Sequence, residues 1–338
     1  MPKQLLRLGG SESLLAATVR RARVRWDWEH VLIVTAADQE DAIRKELPGL
    51  PRDNLLVEPE PRNTAAAVGL AAVAAARRGG REARIAILPA DPHIADEAGF
   101  DAAIDVALAH AVHTIVTIGL RPTHPETGFG YIRLGDRIPA SSSGRLGDHA
   151  VHAVAAFVEK PTRERAEAYV ASGEYLWNSG MFFLTAERMM QEARTHLPAL
   201  GAALDSFFAA DNFAAAVRAE YAQVPAISID HGIMEKATGL RVVPASFGWN
   251  DVGSWAALPS IRTQDENGNV VLGACVAADS RNSVVISESG APFVGVVGVD
   301  NLVVVATADA VLVIPKDRAQ DVKTIVEAIK ARNLSHLL

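Results

Sequence analysis

Asp91 closes the run Ile85–Leu88, Pro89, Ala90, so its carboxylate stands just past the carboxyl end of a short apolar strand. Open α/β sheets bind ligands at that edge. A hard carboxylate oxygen there suits Mg²⁺, which keeps several waters and bridges to phosphates. An Asp capping the next turn is the plain structural alternative. Asp251 lies in Phe247-Gly248-Trp249-Asn250-Asp251-Val252-Gly253-Ser254-Trp255, where two tryptophans flank an acidic tip with a Gly bend. Such a loop gives the carboxylate a shaped, partly dry setting, although aromatic packing alone would also explain it.

Glu159 and Lys160 are neighbours in Phe157-Val158-Glu159-Lys160-Pro161. At a strand end the carboxylate can accept from sugar hydroxyls and the ammonium can attract a phosphate; a surface ion pair would use the same two residues. In Glu58-Pro59-Glu60-Pro61-Arg62-Asn63-Thr64-Ala65, X-Pro pairs hold the backbone extended and a helix begins at Asn63 or Thr64. The free N–H groups and dipole of a helix start favour polar or anionic ligands, and a rigid strand-to-helix turn is the alternative. Glu126-Thr127-Gly128-Phe129-Gly130-Tyr131-Ile132 puts glycines on both sides of an aromatic at a strand entrance. That permits close backbone approach to a ligand, or simply a tight bend.

These residues need elements to hold them. Predicted strands His30–Ala36, Asn54–Glu58, Arg84–Leu88 and Thr114–Leu120 alternate with predicted helices Asp38–Leu47, Asn63–Arg78 (Asn63 as N-cap) and Phe100–Val112. The βαβα order with continuous apolar strands predicts a mostly parallel sheet covered on both faces. Further on, strands are predicted at Tyr131–Leu134, Val154–Glu159 and Met181–Leu184. Helices are predicted at Arg163–Ala171, Ala186–His196 and Phe213–Tyr221, and Ser141-Ser142-Ser143-Gly144 reads as a polar loop. From Asn269 onward, Val270-Val271-Leu272, Val284-Val285-Ile286, Val294–Val297, Leu302–Val305 and Val311–Ile314 are short β runs separated by Gly, Asp and Asn. They predict a small sandwich or a short β-helix, closed by a helix at Ala319–Arg332. The boundary near Asp265–Asn269 gives domains of residues 1–265 and 266–338.

A chain of 338 residues, 49% hydrophobic and 22% charged, buries a large core and is not disordered. Its net charge of -7 supplies no basic field for nucleic acid or an anionic membrane. An anionic ligand would depend on a few local cations and a metal. Cys275 is the single cysteine, which excludes an intramolecular disulfide and fits a reducing cytoplasm. The N-terminus shows no signal-peptide core, and the apolar runs are too short to span a membrane.

Taken in order, these runs and Pro2-Lys3-Gln4-Leu5-Leu6 resemble the signature segments of mannose-1-phosphate guanylyltransferases, within the sugar nucleotidyltransferases. The segment Glu58–Ala65 is similar to the family's Glu-Pro-x-x-(Arg/Lys)-Asn-Thr-Ala motif, with Ala66 where Pro is usual. Leu88-Pro89-Ala90-Asp91 is similar to the metal-binding motif, with Pro92 where the family commonly has His. Glu126–Ile132 resembles the sugar-contacting Thr-Gly-(Tyr/Phe)-Gly-Tyr-Ile segment, and Glu159-Lys160-Pro161 the Glu-Lys-Pro signature. Trp177-Asn178-Ser179-Gly180-Met181 resembles a run whose Asn binds sugar hydroxyls, and Trp249–Trp255 the second metal-binding segment. Ile227–Lys236, with Asp230, Glu235 and Lys236, matches a further family run and is read as supporting helix structure.

The resemblance implies a nucleotide-diphospho-sugar transferase-like (Rossmann-like) α/β fold: a mixed sheet with helices on both faces, then a short β-helix-like domain with a terminal helix. It implies transfer of GMP from GTP to mannose 1-phosphate, giving GDP-mannose and pyrophosphate, assisted by Mg²⁺. Lys3 and Lys160 would be catalytic, acting on phosphates. Glu58, Pro59, Arg62, Asn63 and Thr64 would border the nucleotide. Gly128, Gly130, Tyr131, Glu159 and Asn178 would face the sugar, and Asp91 and Asp251 would bind metal. A nucleotidyltransferase for another hexose 1-phosphate and a catalytically impaired sugar-nucleotide-binding or regulatory subunit stay open. No nucleic-acid or membrane partner is expected, the expected location is cytoplasmic, and a homodimer is one open assembly. In the family a strand and a Gly-rich turn precede Pro-Lys-Gln, which here opens the sequence. Activity at least about 100-fold lower and unpaired edges on neighbouring strands are the corresponding expectations.

Overall fold

The computed structural model describes residues 2–7, 12–112, 114–139, 150–334 and 337. The predicted loop at Ser141–Gly144 lies outside them. In chain order come α1 (Leu14–Arg23), β1 (Ile33–Ala36), α2 (Glu40–Glu46), β2 (Leu55–Glu58) and α3 (Asn63–Gly79). Then follow β3 (Arg84–Ile87), β4 (His93–Ile94), α4 (Glu97–His110), β5 (Val116–Leu120), β6 (Gly130–Ile138) and β7 (Val151–Glu159). Next are α5 (Arg163–Ser172), β8 (Tyr175–Thr185), α6 (Ala186–His196), α7 (Pro198–Ala209), α8 (Phe213–Glu220) and β9 (Arg241–Ala245). The rest comprises β10 (Trp249–Asn250), β11 (Val270–Gly273), β12 (Cys275–Ala278), β13 (Val284–Ser287) and β14 (Val294–Val297). It ends with β15 (Leu302–Ala306), β16 (Val311–Pro315) and α9 (Val322–Ala331). Two compact units result: Thr18–Pro89 with Asp96–Phe247, and Met1–Ala17 with Ala90–Ala95 and Gly248–Leu338.

The larger unit carries a six-stranded mixed sheet ordered β3-β8-β5-β9-β7-β6, with β1 and β2 as a separate parallel pair. Within the six strands only β5–β9 is parallel, so the expected mostly parallel sheet is instead largely antiparallel. The reason is β8, whose 11 residues run antiparallel to β3, β5 and β6. The sequence marks only its second half, because Asn178-Ser179-Gly180 are poor strand formers. They are held instead by Ser179 Oγ donating to the Ile118 carbonyl at 2.7 Å, beside a bulge in β5 between Thr117 and Gly119. That bulge re-aims the strand where Asn178 sits.

Packing on this sheet depends on small side chains. Helix α3 buries Ala65, Ala66, Ala72, Val73, Ala74 and Ala76, and packs on α6 and α7. A Cβ on Gly69 would come within 2.9 Å of the buried Leu204 side chain, so α7 approaches closely enough there that any larger residue would force Leu204 to shift. Asn63 is not an ordinary N-cap: it adopts φ +66° and its carboxamide oxygen accepts from Thr64 N–H at 2.8 Å. Helix α4 starts three residues before its predicted start, where Asp96 accepts from Gly99 N–H at 3.0 Å.

In the smaller unit β11, β13 and β15 stack in parallel register, Val270 on Val284 on Val303, while β12 and β14 form a second parallel pair. This is a short β-helix, and it decides between the two architectures left open by the strand spacing. Val270, Val284, Ile286, Val303 and Val305 fill its interior. Asn269 ties successive coils, donating to the Ser280 carbonyl at 2.8 Å and accepting from Ser283 N–H at 3.0 Å. Antiparallel β16 ends the stack on β15, and a 3₁₀ turn at Lys316–Asp321 precedes α9, which therefore starts later than predicted. Among the described residues no helix is long and apolar enough to cross a membrane.

Candidate active site

In the smaller unit Lys3, Asp91 and Asp251 come together. Antiparallel β4 and β10 pair His93 with Asn250, which sets the residues just before β4 beside those just after β10. Lys3 begins a 3₁₀ turn anchored by buried Leu5. Its Nζ lies 2.8 Å from Asp91 Oδ2 and also donates to the Asp251 carbonyl. The Asp251 loop is tightly wound: Val252 N–H donates to Asn250 Oδ1 at 2.7 Å and Gly253 N–H to Asp251 Oδ1 at 3.2 Å. Val252 adopts φ +48°, a left-handed conformation that costs a β-branched residue energy and so needs the surrounding packing to hold it. The side chains of Lys3 and Asp91 are about a third exposed, at 36% and 37%, so the pair remains open to a solvent-borne ligand. Asp91 offers a hard carboxylate oxygen of the kind that suits Mg²⁺, which takes its other ligands from water and phosphate, while the Asp251 carboxylate accepts from Gly253 N–H within its own loop.

In the larger unit Glu159, Lys160, Asn178 and Gly130 converge. Gly130 pairs with Glu159 across β6 and β7, and a Cβ there would lie 2.5 Å from Glu159 Oε2 and 3.2 Å from Asn178 Cβ. Glycine at this position therefore makes room for the carboxylate. The Glu159 side chain is 8% exposed and its Oε1 stands 3.2 Å from Lys160 Nζ. Lys160 itself is exposed, adopts φ +47° and donates its N–H to the Phe129 carbonyl at 3.2 Å. Buried Tyr131 donates its hydroxyl to the Glu126 carbonyl at 2.9 Å, and burial raises its pKa. Gly128 is exposed and its N–H donates to Glu126 Oε1 at 2.8 Å. Tyr131 and Gly128 thus shape the Glu126 turn.

Asn178 Oδ1 accepts from Gly180 N–H at 3.1 Å and from the Thr117 hydroxyl at 3.3 Å. Its Nδ2 donates to Asp230 Oδ1 at 2.9 Å. Burial and the neighbouring Glu159 push the Asp230 carboxyl up to about 6. Glu235 Oε1 accepts from Glu159 N–H at 3.0 Å. Burial opposes the charge on Glu235, but the Glu159 N–H and His231 outweigh it and lower its pKa. Asp230 and Glu235 thus join the set, beyond the helix-supporting part read for them. Asp230 opens a π turn, Asp230–Met234, whose irregular period leaves no helical signature in the sequence.

The run at the start of α3 is spread out. Glu58 accepts from the buried Tyr221 hydroxyl at 2.5 Å, and burial together with Glu58 raises the phenol's pKa. Arg62 pairs with Glu60, and Thr64 Oγ1 accepts from Ile229 N–H at 2.8 Å. Pro59 alone of these predicted residues lines a cleft of about 770 Å³, shared with Leu55, Val57, Arg77, Phe213 and Arg218.

Residues 1–268 match the family described as nucleotidyl transferase, and residues 273–329 match the MannoseP isomerase/GMP-like beta-helix domain. Xanthan biosynthesis protein XanB of Xanthomonas campestris pv. campestris is 40% identical over 99% of this chain and 70% of its own length. Mannose-1-phosphate guanylyltransferase of Escherichia coli K12 is 40% identical over 98% of this chain and 69% of its own. A crystal structure described as mannose-1-phosphate geranyltransferase from Thermus thermophilus superposes with TM-score 0.83 at 37% identity, covering 94% of this chain and 90% of that one. The chain belongs to the nucleotidyltransferases, and among them to the mannose-1-phosphate guanylyltransferase family.

Proposed function

We propose that this chain transfers GMP from GTP to mannose 1-phosphate, releasing GDP-mannose and pyrophosphate. The observation that carries the reading is the Lys3 ammonium shared between Asp91 and the Asp251 backbone, a cation-and-carboxylate set suited to phosphates. In the reaction a phosphate oxygen of the sugar phosphate attacks the α-phosphorus in line and pyrophosphate leaves. That oxygen is already ionised near neutral pH, so positioning and charge neutralisation carry the catalysis. Lys3 binds phosphate oxygens of the nucleotide and Lys160 those of the sugar phosphate. Glu159 accepts from sugar hydroxyls, Asn178 donates to one, and Gly130 leaves room for both side chains. Glu58, Pro59, Arg62, Asn63 and Thr64 border the nucleotide. A bound Mg²⁺ would supply charge neutralisation at the phosphates, with Asp91 and Asp251 as its protein ligands. The catalytic part is residues 1–265 and the β-helix part 266–338.

Thermal shift tests the substrate class. GDP-mannose should stabilise the protein more than UDP-glucose or dTDP-glucose, and pyrophosphate release should require mannose 1-phosphate and GTP together. Equal stabilisation by all three sugar nucleotides would refute the guanine and mannose assignment.

A further inference from the structure

Residues 227–235 are tied at one end to the start of α3 and at the other to the sugar-facing set. Ile229 N–H donates to Thr64 Oγ1 at 2.8 Å, and the Ile227 carbonyl accepts from Ala65 N–H at 3.2 Å. Further along the segment, Asp230 holds Asn178 and Glu235 holds the Glu159 backbone. Between them runs the Asp230–Met234 π turn, with Gly232, Ile233 and Met234 buried. π turns inside proteins occur frequently at functional sites. A Cβ on Gly232 would come within 2.9 Å of Leu197, so core packing fixes the widened turn.

We propose that Asp230 is a positioning residue that locks the Asn178 carboxamide in the orientation that donates to a sugar hydroxyl, and that residues 227–235 tie this lock to the start of α3. The proposal rests on the guanylyltransferase reading. Asn178 Oδ1 is occupied by Gly180 N–H and Thr117, and one Nδ2 hydrogen is taken by Asp230. The other Nδ2 hydrogen is left for the ligand. Flipping the carboxamide would set its oxygen against the ionised Asp230, so the charged carboxylate forbids the flip. A protonated Asp230 can donate instead, and the orientation then rests on Gly180 N–H alone. Glu159 and Lys160 face Asp230 from the end of β7, Asn178 from β8, and His231 and Glu235 stand on its own segment. Burial and Glu159 raise its pKa to about 6, so the lock loosens as pH falls through that value.

The test compares wild type with Asp230→Asn and Thr117→Val between about pH 5 and 8, a span that brackets the raised carboxyl. In Asp230→Asn the KM for mannose 1-phosphate should rise about tenfold, the worth of one net hydrogen bond, with the KM for GTP within about twofold. The rise in that KM below pH 6 should flatten in this variant. The substrate phosphate titrates equally in both proteins and cancels in the comparison. Thr117→Val, which frees Asn178 Oδ1 on one side, should raise the same KM by about threefold with an unchanged melting temperature. Calorimetry with whichever sugar nucleotide stabilises wild type most should show the same loss of affinity, even if turnover with GTP and mannose 1-phosphate disproves the guanylyltransferase reading. Unchanged sugar affinity and pH profile in Asp230→Asn would overturn the proposal, as would equal weakening of both substrates with a lowered melting temperature.

Discussion

Lys3 Nζ sits 2.8 Å from Asp91 Oδ2 while donating to the backbone carbonyl of Asp251, so one ammonium joins three distant stretches of the chain. The β4–β10 pairing explains the meeting: His93 opposite Asn250 brings the two acidic loops side by side, and buried Leu5 anchors the turn that delivers Lys3. An ammonium held by a carboxylate and a carbonyl is poised to exchange either partner for a phosphate oxygen.

Asp91→Asn and Asp251→Asn should each lower Mg²⁺-dependent kcat by about 100-fold or more, the scale for losing one group that stabilises transition-state charge. Lys3→Met should do the same. The fold should barely notice Asp91→Asn, because a part-exposed ion pair contributes only about 0–1 kcal/mol. Pyrophosphate release titrated with Mg²⁺, alongside urea melts, separates the two effects. Wild-type kcat with unchanged Mg²⁺ dependence would remove that residue from the site.

Gly130→Ala probes the room around Glu159. The new Cβ would lie 2.5 Å from Glu159 Oε2, an atom at the flexible end of a side chain that can move away, and 3.2 Å from Asn178 Cβ, which needs a shift of only a few tenths of an ångström. The KM for mannose 1-phosphate should rise about tenfold while stability changes by less than about 1 kcal/mol. Initial rates across sugar-phosphate concentrations and a thermal melt are sufficient to check this.

Arg194 joins α6 to α7 through two bonds to Asp205, at 2.9 and 2.6 Å, and one to Glu187 at 3.0 Å. The guanidinium holds Asp205 below the usual carboxylate range. Burial opposes the charge on Glu187, but Arg81 and Arg194 together outweigh it and lower its pKa as well. Acids depressed on folding add stability above their unfolded pKa, near 4, and that stability disappears as pH falls through the folded values. Arg194→Met should therefore cost about 1 kcal/mol at neutral pH, modest because the pairs are part-exposed. The gap to wild type should close as the pH drops below about 4. Urea midpoints measured across that range would show it, and a pH-independent gap would mean that packing, not charge, dominates.

The candidate site was legible where chemistry and local geometry coincide in a few residues, as at Asp91 after an apolar strand or Glu159-Lys160 at the end of another. What escaped the sequence depended on tertiary context. β9 contains Pro244, which argues against an interior strand, yet β9 lies between β5 and β7 because its pairing to β7 ends at Val242, before the proline. Helix α7 escapes a sequence reading because Ala, Leu and Phe run round most of its circumference, which leaves a weak apolar stripe, and its packing on α3 and α6 is tertiary. In sequence Asp230 reads as helix support only, because its part in the site depends on Asn178, which is far away in sequence. Strand direction escaped as well: alternation of strands and helices does not reveal that β8 turns back along β3 and β5.

Gly273 offers the sharpest test of the β-helix. It adopts φ +82°, and an added Cβ would lie 1.9 Å from the Ser287 carbonyl oxygen, the residue paired with it on the next coil. That oxygen belongs to backbone, so it cannot swing away; the two coils must separate and the β11–β13 ladder must open. Gly290 is the matched control, with φ +85° and nothing within 4 Å of its added Cβ. Alanine at Gly290 should cost only the left-handed conformation, about 1–2 kcal/mol. Alanine at Gly273 should cost that plus the steric term, more than about 4 kcal/mol in total. Hydrogen exchange at the β11, β13 and β15 amides should accelerate strongly in Gly273→Ala and little in Gly290→Ala. Equal protection in the two variants would show that the coils tolerate the added carbon, and that the tight contact at Ser287 does not hold the stack together.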